Sequence, residues 1–154
     1  MTQLSLQEWI ILVVAVWGAG LSTLLGILKF IENKRILKIQ LSSGLIRLSS
    51  SNIPTVIMIT CTNIGKRPMQ ITSYGLKLPD KKFLSVMQPI FPIKFPMKLS
   101  DGDSFTLHFH INDIAIGLSE NGYSGKIKMK GYVGDSIGKR YFSKKMKFNI
   151  DEWV

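Results

Sequence analysis

Five lysines near the C-terminus have a spacing that could bind an anionic surface. They alternate along two predicted strands joined by a hairpin about Ser136 and Ile137, and they are Lys126, Lys128, Lys130, Lys145 and Lys147. Side chains two residues apart lie on one face of a strand, so this register places Lys128 opposite Lys145 and Lys126 opposite Lys147. Because like charges in opposite positions destabilise a sheet, the pattern indicates an anionic partner such as lipid headgroups. A solvated face, or charges that protect an edge strand from aggregation, is the alternative.

Nucleic acid is disfavoured as the partner of these lysines. Single-strand binding uses aromatic side chains that are interleaved with the basic groups, so that bases can stack on them. The predicted register places Tyr132 opposite Tyr141 at the turn end of the row. The two rings therefore form a cross-strand pair and do not alternate with the lysines. We expect lipid or protein, rather than nucleic acid, at this surface.

The other residues that could do chemistry do not form a catalytic or metal-binding set. His108 and His110 lie on one face of a predicted strand, where such a pair would bind zinc or copper only with a third ligand. The sequence has no nucleophile motif and no phosphate-binding glycine loop. Cys61 lies in the most apolar predicted strand, as an inert core thiol would. The sequence therefore predicts no enzyme, no metal site and no cofactor.

The chain that carries these side chains begins with a long apolar run. Residues 9–31 contain a single charge, Lys29. About 20 apolar residues, at a rise of about 1.5 Å each, cover the roughly 30 Å hydrocarbon core of a bilayer. Because the run is apolar on all sides, unlike a surface helix, it predicts a transmembrane helix. A cleaved signal peptide is the alternative, but such peptides have a basic start and a shorter apolar core.

Small residues recur at every fourth position within the apolar run. Gly18, Ser22 and Gly26 share one face of the predicted helix. Such a face lets a second helix backbone approach closely. We predict a helix–helix contact here, with a second copy of the chain or with a polytopic partner. Small residues are also common in membrane helices that make no such contact, which is the alternative.

The charge distribution predicts how the chain is oriented. The net charge is +10, and no basic residue precedes the apolar run, whereas Lys34, Arg35 and Lys38 follow it. By the positive-inside rule, the sequence predicts a single-pass protein of the inner (plasma) membrane with its C-terminal domain in the cytoplasm. Cys61 is the only cysteine, which suits a reducing compartment.

The sequence beyond residue 35 has a residue pattern that is typical of an antiparallel β fold. About seven or eight short runs rich in Ile, Val, Thr, Phe and Tyr are separated by Gly, Pro, Asn and Asp. We expect a hairpin turn at 42–44, a bulge at Gly75, and one short crossover helix at 114–119. The predicted fold is mainly β: residues 1–35 form the transmembrane helix and its stem, and residues 36–154 form an immunoglobulin-like antiparallel β-sandwich.

Three turn motifs carry a resemblance to a known group of proteins. The motifs are Asn63-x-Gly65-x-Arg67-Pro68 followed by Ile71-Thr72-x-x-Gly75, then Leu99-x-Asp101-Gly102-Asp103-Ser104, and last Asp135-Ser136-x-Gly138-Lys139-x-Tyr141. In these motifs the sequence resembles small bacterial proteins that have an N-terminal membrane helix and an immunoglobulin-like domain of unassigned function. The resemblance implies a fold and no catalytic residues. We predict a non-enzymatic, membrane-anchored accessory module that presents its β-sandwich to a protein partner, with peripheral binding of anionic lipid by the lysine row as the alternative.

Overall fold

A computed structural model describes residues 5–32, 34–49, 53–85 and 88–154. The chain divides into two compact units, with the boundary between Lys34 and Arg35. The first unit contains a single long helix, and the second contains the nine strands that the structure describes. The fold is therefore mainly β, with one long N-terminal helix.

The long helix, α1, spans Leu6–Glu32 and begins at a capping box. Its first turn is closed by Ser5 and Glu8: the Ser5 N–H donates to Glu8 Oε2 at 2.7 Å, and the Glu8 N–H donates to Ser5 Oγ at 3.4 Å. The stretch Leu6–Phe30 has a mean hydropathy of 2.3, and none of it is buried within the structure. By length and composition, α1 is able to cross a membrane.

Two antiparallel sheets make up the second unit. The three-stranded sheet has the order β1 (Leu37–Leu45), β2 (Thr55–Asn63) and β6 (Ser104–His110). The six-stranded sheet has the order β4 (Phe83–Leu84), β3 (Met69–Lys77), β7 (Lys126–Asp135) and β8 (Arg140–Phe142), while β5 (Met97–Leu99) also pairs with β3 and β9 (Met146–Asn149) also pairs with β7. A helix, α2 (Ile111–Glu120), follows β6, and a 3₁₀ turn at Ile150–Glu152 follows β9.

The two sheets share one hydrophobic core. Ile57 and Ile59 come from the three-stranded sheet and Ile71, Leu76 and Met129 from the six-stranded sheet, and all five are fully buried in one cluster. Burial of such side chains is the main favourable term in folding. Both sheets therefore depend on each other for a covered face.

The predicted hairpin turn at 42–44 is wrong. Ser42, Ser43 and Gly44 continue β1 and pair with residues 58, 57 and 56 of β2. The pairing continues through Gly44, where a Cβ would lie 2.9 Å from the flexible end of the Met58 side chain. The first strand is therefore nine residues long.

Two further details of the predicted elements also differ from the structure. The expected bulge at Gly75 is wrong because Gly75 pairs in register with Tyr132, and the irregularity of β3 lies between Ile71 and Ser73. The short crossover helix is longer than residues 114–119, since α2 begins directly after β6 at Ile111. Its N-cap residue is His110, which makes no side-chain capping bond.

Candidate interaction surfaces

The structure places the lysine row on β7 and β9, but in a different register from the predicted one. Lys128 lies opposite Lys147, and Lys126 lies opposite Asn149. The predicted pairs of Lys128 with Lys145 and of Lys126 with Lys147 are therefore wrong. Two like charges still meet across the strands, and both Lys128 and Lys147 are exposed.

A bulge at Ser143 produces half of this register shift. The Ser143 N–H donates to Gly131 O at 2.9 Å, and Ser143 Oγ accepts from the Gly131 N–H at 2.9 Å. Pairing with β9 then resumes only after two more residues, so Lys144 and Lys145 together lie opposite the single residue Lys130. Lys145 is therefore outside the strand pairing. The lysines that the strands do align on β7 and β9 are Lys126, Lys128, Lys130 and Lys147.

The hairpin loop produces the other half of the shift. It contains three residues, 136–138, because the Asp135 N–H donates to Lys139 O at 3.0 Å and Gly138 adopts a φ of 82°. Three-residue loops of this kind use a left-handed residue that glycine supplies readily. Tyr132 consequently lies opposite Phe142 and not opposite Tyr141, so the predicted tyrosine pair is wrong.

The solvent face of the six-stranded sheet combines this lysine row with aromatic side chains. Strand pairing places Lys77 opposite both Lys130 and Phe83, and Tyr132 opposite Phe142. Alternation along β7 and β8 then puts these groups on one face. We call it the basic–aromatic face, and its members are Lys77, Phe83, Lys126, Lys128, Lys130, Tyr132, Arg140, Phe142 and Lys147.

An aromatic cluster forms the centre of the basic–aromatic face. The rings of Phe83 and Tyr132 meet edge to face at 5.1 Å between centroids. The Arg140 guanidinium carbon lies 4.4 Å from the Phe83 ring centroid, and Lys77 Nζ lies 4.9 Å from that of Phe142. Cations at such distances are attracted by the ring faces. The cluster therefore holds two basic groups at fixed positions on the sheet surface.

The exposed fractions of these rings show which of them can meet a partner. Tyr132 is only 3% exposed, and its hydroxyl lies 2.8 Å from Ser85 Oγ, so it supports the cluster from below. Phe83 and Phe142 are 38% and 40% exposed, so part of each ring faces solvent. The surface thus offers apolar edges beside fixed cations, a combination that suits an interface with charged headgroups or with an acidic protein.

A second surface is a groove along the outer edge of β1. It has a volume of about 680 Å³ and is lined by residues 37–42 of β1 together with Ile64, Phe142 and Lys144. Leu37 and Ile39 are buried at its floor, whereas Lys38, Gln40 and Lys144 are exposed along it. We call this the edge groove.

The hydrogen-bond pattern shows which backbone groups of β1 face the edge groove. The Ile64 N–H donates to Ile36 O at 3.0 Å, and the Ile46 N–H donates to Pro54 O at 3.2 Å. Bonded and non-bonded pairs alternate in an antiparallel ladder, so the even-numbered residues of β1 bond to β2. Residues 37, 39, 41 and 43 therefore direct their N–H and C=O groups away from β2, and β2 is the one described strand that pairs with β1.

The small residues of α1 lie where a helix partner could reach them. Gly18, Ser22 and Gly26 are exposed on α1 at four-residue spacing. A Cβ placed at Gly18 or Gly26 would have no atom within 4 Å. The predicted helix–helix contact at these residues stays a prediction.

The two histidines lie against apolar neighbours, and Cys61 lies in the hydrophobic core. His108 and His110 are half-buried opposite Met58 and Val56, and the His108 ring packs edge-on against Phe91 at 5.5 Å. Within the described parts of the chain, no group of three or more His, Cys, Asp and Glu side chains is placed to hold a metal ion. Cys61 is fully buried, and burial raises the pKa of its thiol to about 12. The thiolate that would react is therefore disfavoured at neutral pH.

Comparisons with known proteins identify no family for this chain. No protein-family model and no curated protein sequence matches it. Among solved structures, a structural genomics target described as SoR45 aligns over 73% of this chain and 86% of its own, with 11% identity and a TM-score of 0.37. A Bordetella pertussis protein described as ApaA aligns over 75% of this chain and 94% of its own, with 11% identity and a TM-score of 0.38. Similarity at this level supports no conclusion about function.

Proposed function

We propose that this chain is a non-enzymatic, membrane-anchored module that presents its β domain to a protein partner at the membrane. The observation that supports it best is the outer edge of β1, which pairs with no other described strand, and only four residues separate β1 from the end of α1. A partner bound to β1 would be held within a few residues of the anchor. In this proposal α1 spans the plasma membrane once, and the domain lies in the cytoplasm because the basic residues follow the helix.

Two finer features belong to the same proposal. The domain adopts an immunoglobulin-like sandwich, which is supported by two antiparallel sheets that share one core. The helix contacts a second membrane helix through Gly18, Ser22 and Gly26, which is supported by their exposure on one face of α1.

Site-specific photocrosslinking tests the proposed protein partner. With a photoreactive amino acid at Gln40, an exposed position in the edge groove, we expect a protein adduct of defined mass in intact membranes. The same amino acid at Asp113, an exposed position on α2, is the control and should give no such adduct. Equal adducts at both positions, or adducts with lipid alone, would contradict a protein partner at β1.

The second candidate function is binding of anionic lipid by the basic–aromatic face. The five lysines of this face, Lys77 among them, and Arg140 are aligned on one side of the sheet. Within the described strands, no acidic residue occupies a paired position on that side. Each basic residue near an anionic bilayer contributes about 1 kcal/mol. The half-exposed rings of Phe83 and Phe142 could enter the headgroup region beside them.

Fluorescence quenching in nanodiscs tests this second candidate. Because Cys61 is buried, a cysteine introduced at Asn149 on the basic–aromatic face can be labelled alone. We expect headgroup-labelled lipid to quench that fluorophore only when the nanodisc contains phosphatidylglycerol, and we expect high salt or the double variant Lys128→Glu/Lys147→Glu to abolish the quenching. A label at Asp113 is the control. Equal quenching in neutral nanodiscs would refute the lipid role.

A further inference from the structure

We infer that the edge groove binds an extended, acidic segment of a protein partner, which adds as a new strand to β1. This inference rests on the proposed protein-partner function and specifies the chemistry of its contact. Strand addition to an open sheet edge is a recurrent way to bind peptides, in which main-chain bonds give affinity and alternate side chains give specificity.

The backbone of β1 presents hydrogen-bonding groups along its outer edge. Residues 37, 39, 41 and 43 carry four N–H and four C=O groups that point away from β2, and the first three of these residues line the groove. Strand residues rise about 3.3 Å each, so this edge is long enough to pair with a segment of about six residues. An incoming strand would form hydrogen bonds with these N–H and C=O groups in the same way that β2 does on the other side of β1.

The other edges of the two sheets, as far as the structure describes them, are short or partly covered. On the far side of the same sheet, the Ile90 N–H donates to His108 O at 2.7 Å, so the segment after β4 covers part of the edge of β6. The outer strands of the six-stranded sheet, β4, β5, β8 and β9, have two to four residues each. Short or covered edges resist pairing with another chain. Among the described strands, the nine-residue edge of β1 is therefore the long open one.

The side chains around the groove define the occupant. Lys38 and Lys144 are exposed at its rim, and none of the residues that line it is acidic. Its floor is apolar, with Leu37, Ile39 and the exposed side of Phe142. A strand has one set of side chains on each face. The best-matched segment therefore alternates apolar residues, which face the floor, with acidic residues, which face the lysines.

A second copy of this chain fits the groove less well. The outward side chains that its β1 would bring are Lys38, Gln40 and Ser42, none of which is acidic. The chain has a net charge of +10, so two copies repel each other. Charge complementarity favours an acidic partner over self-pairing.

Peptide titration against the full chain in neutral phosphatidylcholine nanodiscs tests the inference. The probe is a fluorescent synthetic octapeptide that alternates valine with glutamate, and two variants carry backbone N-methyl groups on either the valines or the glutamates. Only one alternate set of N–H groups faces β1, so one variant should bind at least about tenfold more weakly, whereas the other should bind as the parent does. Equal loss from both variants, or from neither, would overturn strand addition.

Charge reversal on the protein completes the test. The double variant Lys38→Glu/Lys144→Glu should weaken binding of the octapeptide about tenfold, while Lys128→Glu/Lys147→Glu, a matched double change on the basic–aromatic face, should leave it unchanged. Equal weakening by both changes would overturn the groove as the site. If the peptide does not bind but the Gln40 crosslink persists, the inference is wrong and the protein-partner function stands. If both fail, the function fails too.

Discussion

Replacing Asn63 with alanine is expected to lower the free energy of unfolding of the β domain by about 3 kcal/mol. Asn63 is fully buried, and its side chain ties three segments together. Its Nδ2 donates to Arg67 O at 2.8 Å and to Leu99 O at 3.2 Å, and its Oδ1 accepts from the Gly65 N–H at 3.0 Å. Alanine would leave these three backbone groups without the amide, and buried unpaired groups are costly.

Thermal unfolding of the full chain in detergent, followed by near-ultraviolet circular dichroism, measures this effect. For a domain of this size, the melting temperature should fall by about 10 °C or more. Asn121→Ala is the matched control because the Asn121 amide also bonds to a carbonyl, Gly117 O at 2.7 Å, but is exposed to water. The control should change stability by less than about 1 kcal/mol. Similar losses for both variants would contradict the importance of burial at Asn63.

Gly75→Ala is expected to be the second most disruptive change, at about 2–3 kcal/mol. A Cβ at Gly75 would collide with the backbone oxygen of Leu84 and would lie 2.7 Å from Tyr132 Cε1. The backbone oxygen cannot move without opening the contact of β3 with β4, and the Tyr132 ring cannot move without disturbing Phe83. The substitution should therefore disrupt the aromatic cluster as well as the sheet.

Gly117→Ala is expected to stabilise the same protein. Gly117 lies inside α2, and a Cβ there would have no atom within 4 Å. Alanine in a helix interior is more favourable than glycine by about 1 kcal/mol, so the variant should unfold at a higher temperature than the parent. Near-ultraviolet dichroism from Tyr132 and its neighbours should be altered in Gly75→Ala and preserved in Gly117→Ala. A Gly75→Ala protein of parental stability would show that the collision is relieved by a small shift.

The elements that the sequence predicts well are those with a strong local pattern. The apolar run that became α1 and the Thr, Val and Ile residues of β2 needed no information from elsewhere in the chain. The turn at 42–44 was predicted wrongly because Ser-Ser-Gly is a common turn sequence. Its role in β1 depends on pairing with residues 56–58, which are distant in sequence. Tertiary pairing overrode the local preference there.

The candidate surfaces were less predictable than the fold because they depend on register. The sequence identified the lysines of β7 and β9, but a three-residue loop and the bulge at Ser143 each shifted the pairing by one residue. Phe83 joins the basic–aromatic face from a strand more than 40 residues before Tyr132. No local pattern could assign it there. The edge groove likewise could be found only from the strand order, in which β1 pairs on one side only among the described strands.

The bulge at Ser143 accommodates one extra residue, so the last strand keeps its alternation of buried and exposed side chains. Pairing of Phe148 with Ile127 buries Phe148 and exposes Lys147, and removal of either Lys144 or Lys145 would leave one residue opposite Lys130 and keep both side chains on their present faces. Surface connections usually tolerate changes in length, and this one should tolerate the loss of its extra residue, since Met146 would still lie opposite Met129. Engineered insertions into this domain belong at residues 136–138, where the chain can lengthen without altering which side chains are covered.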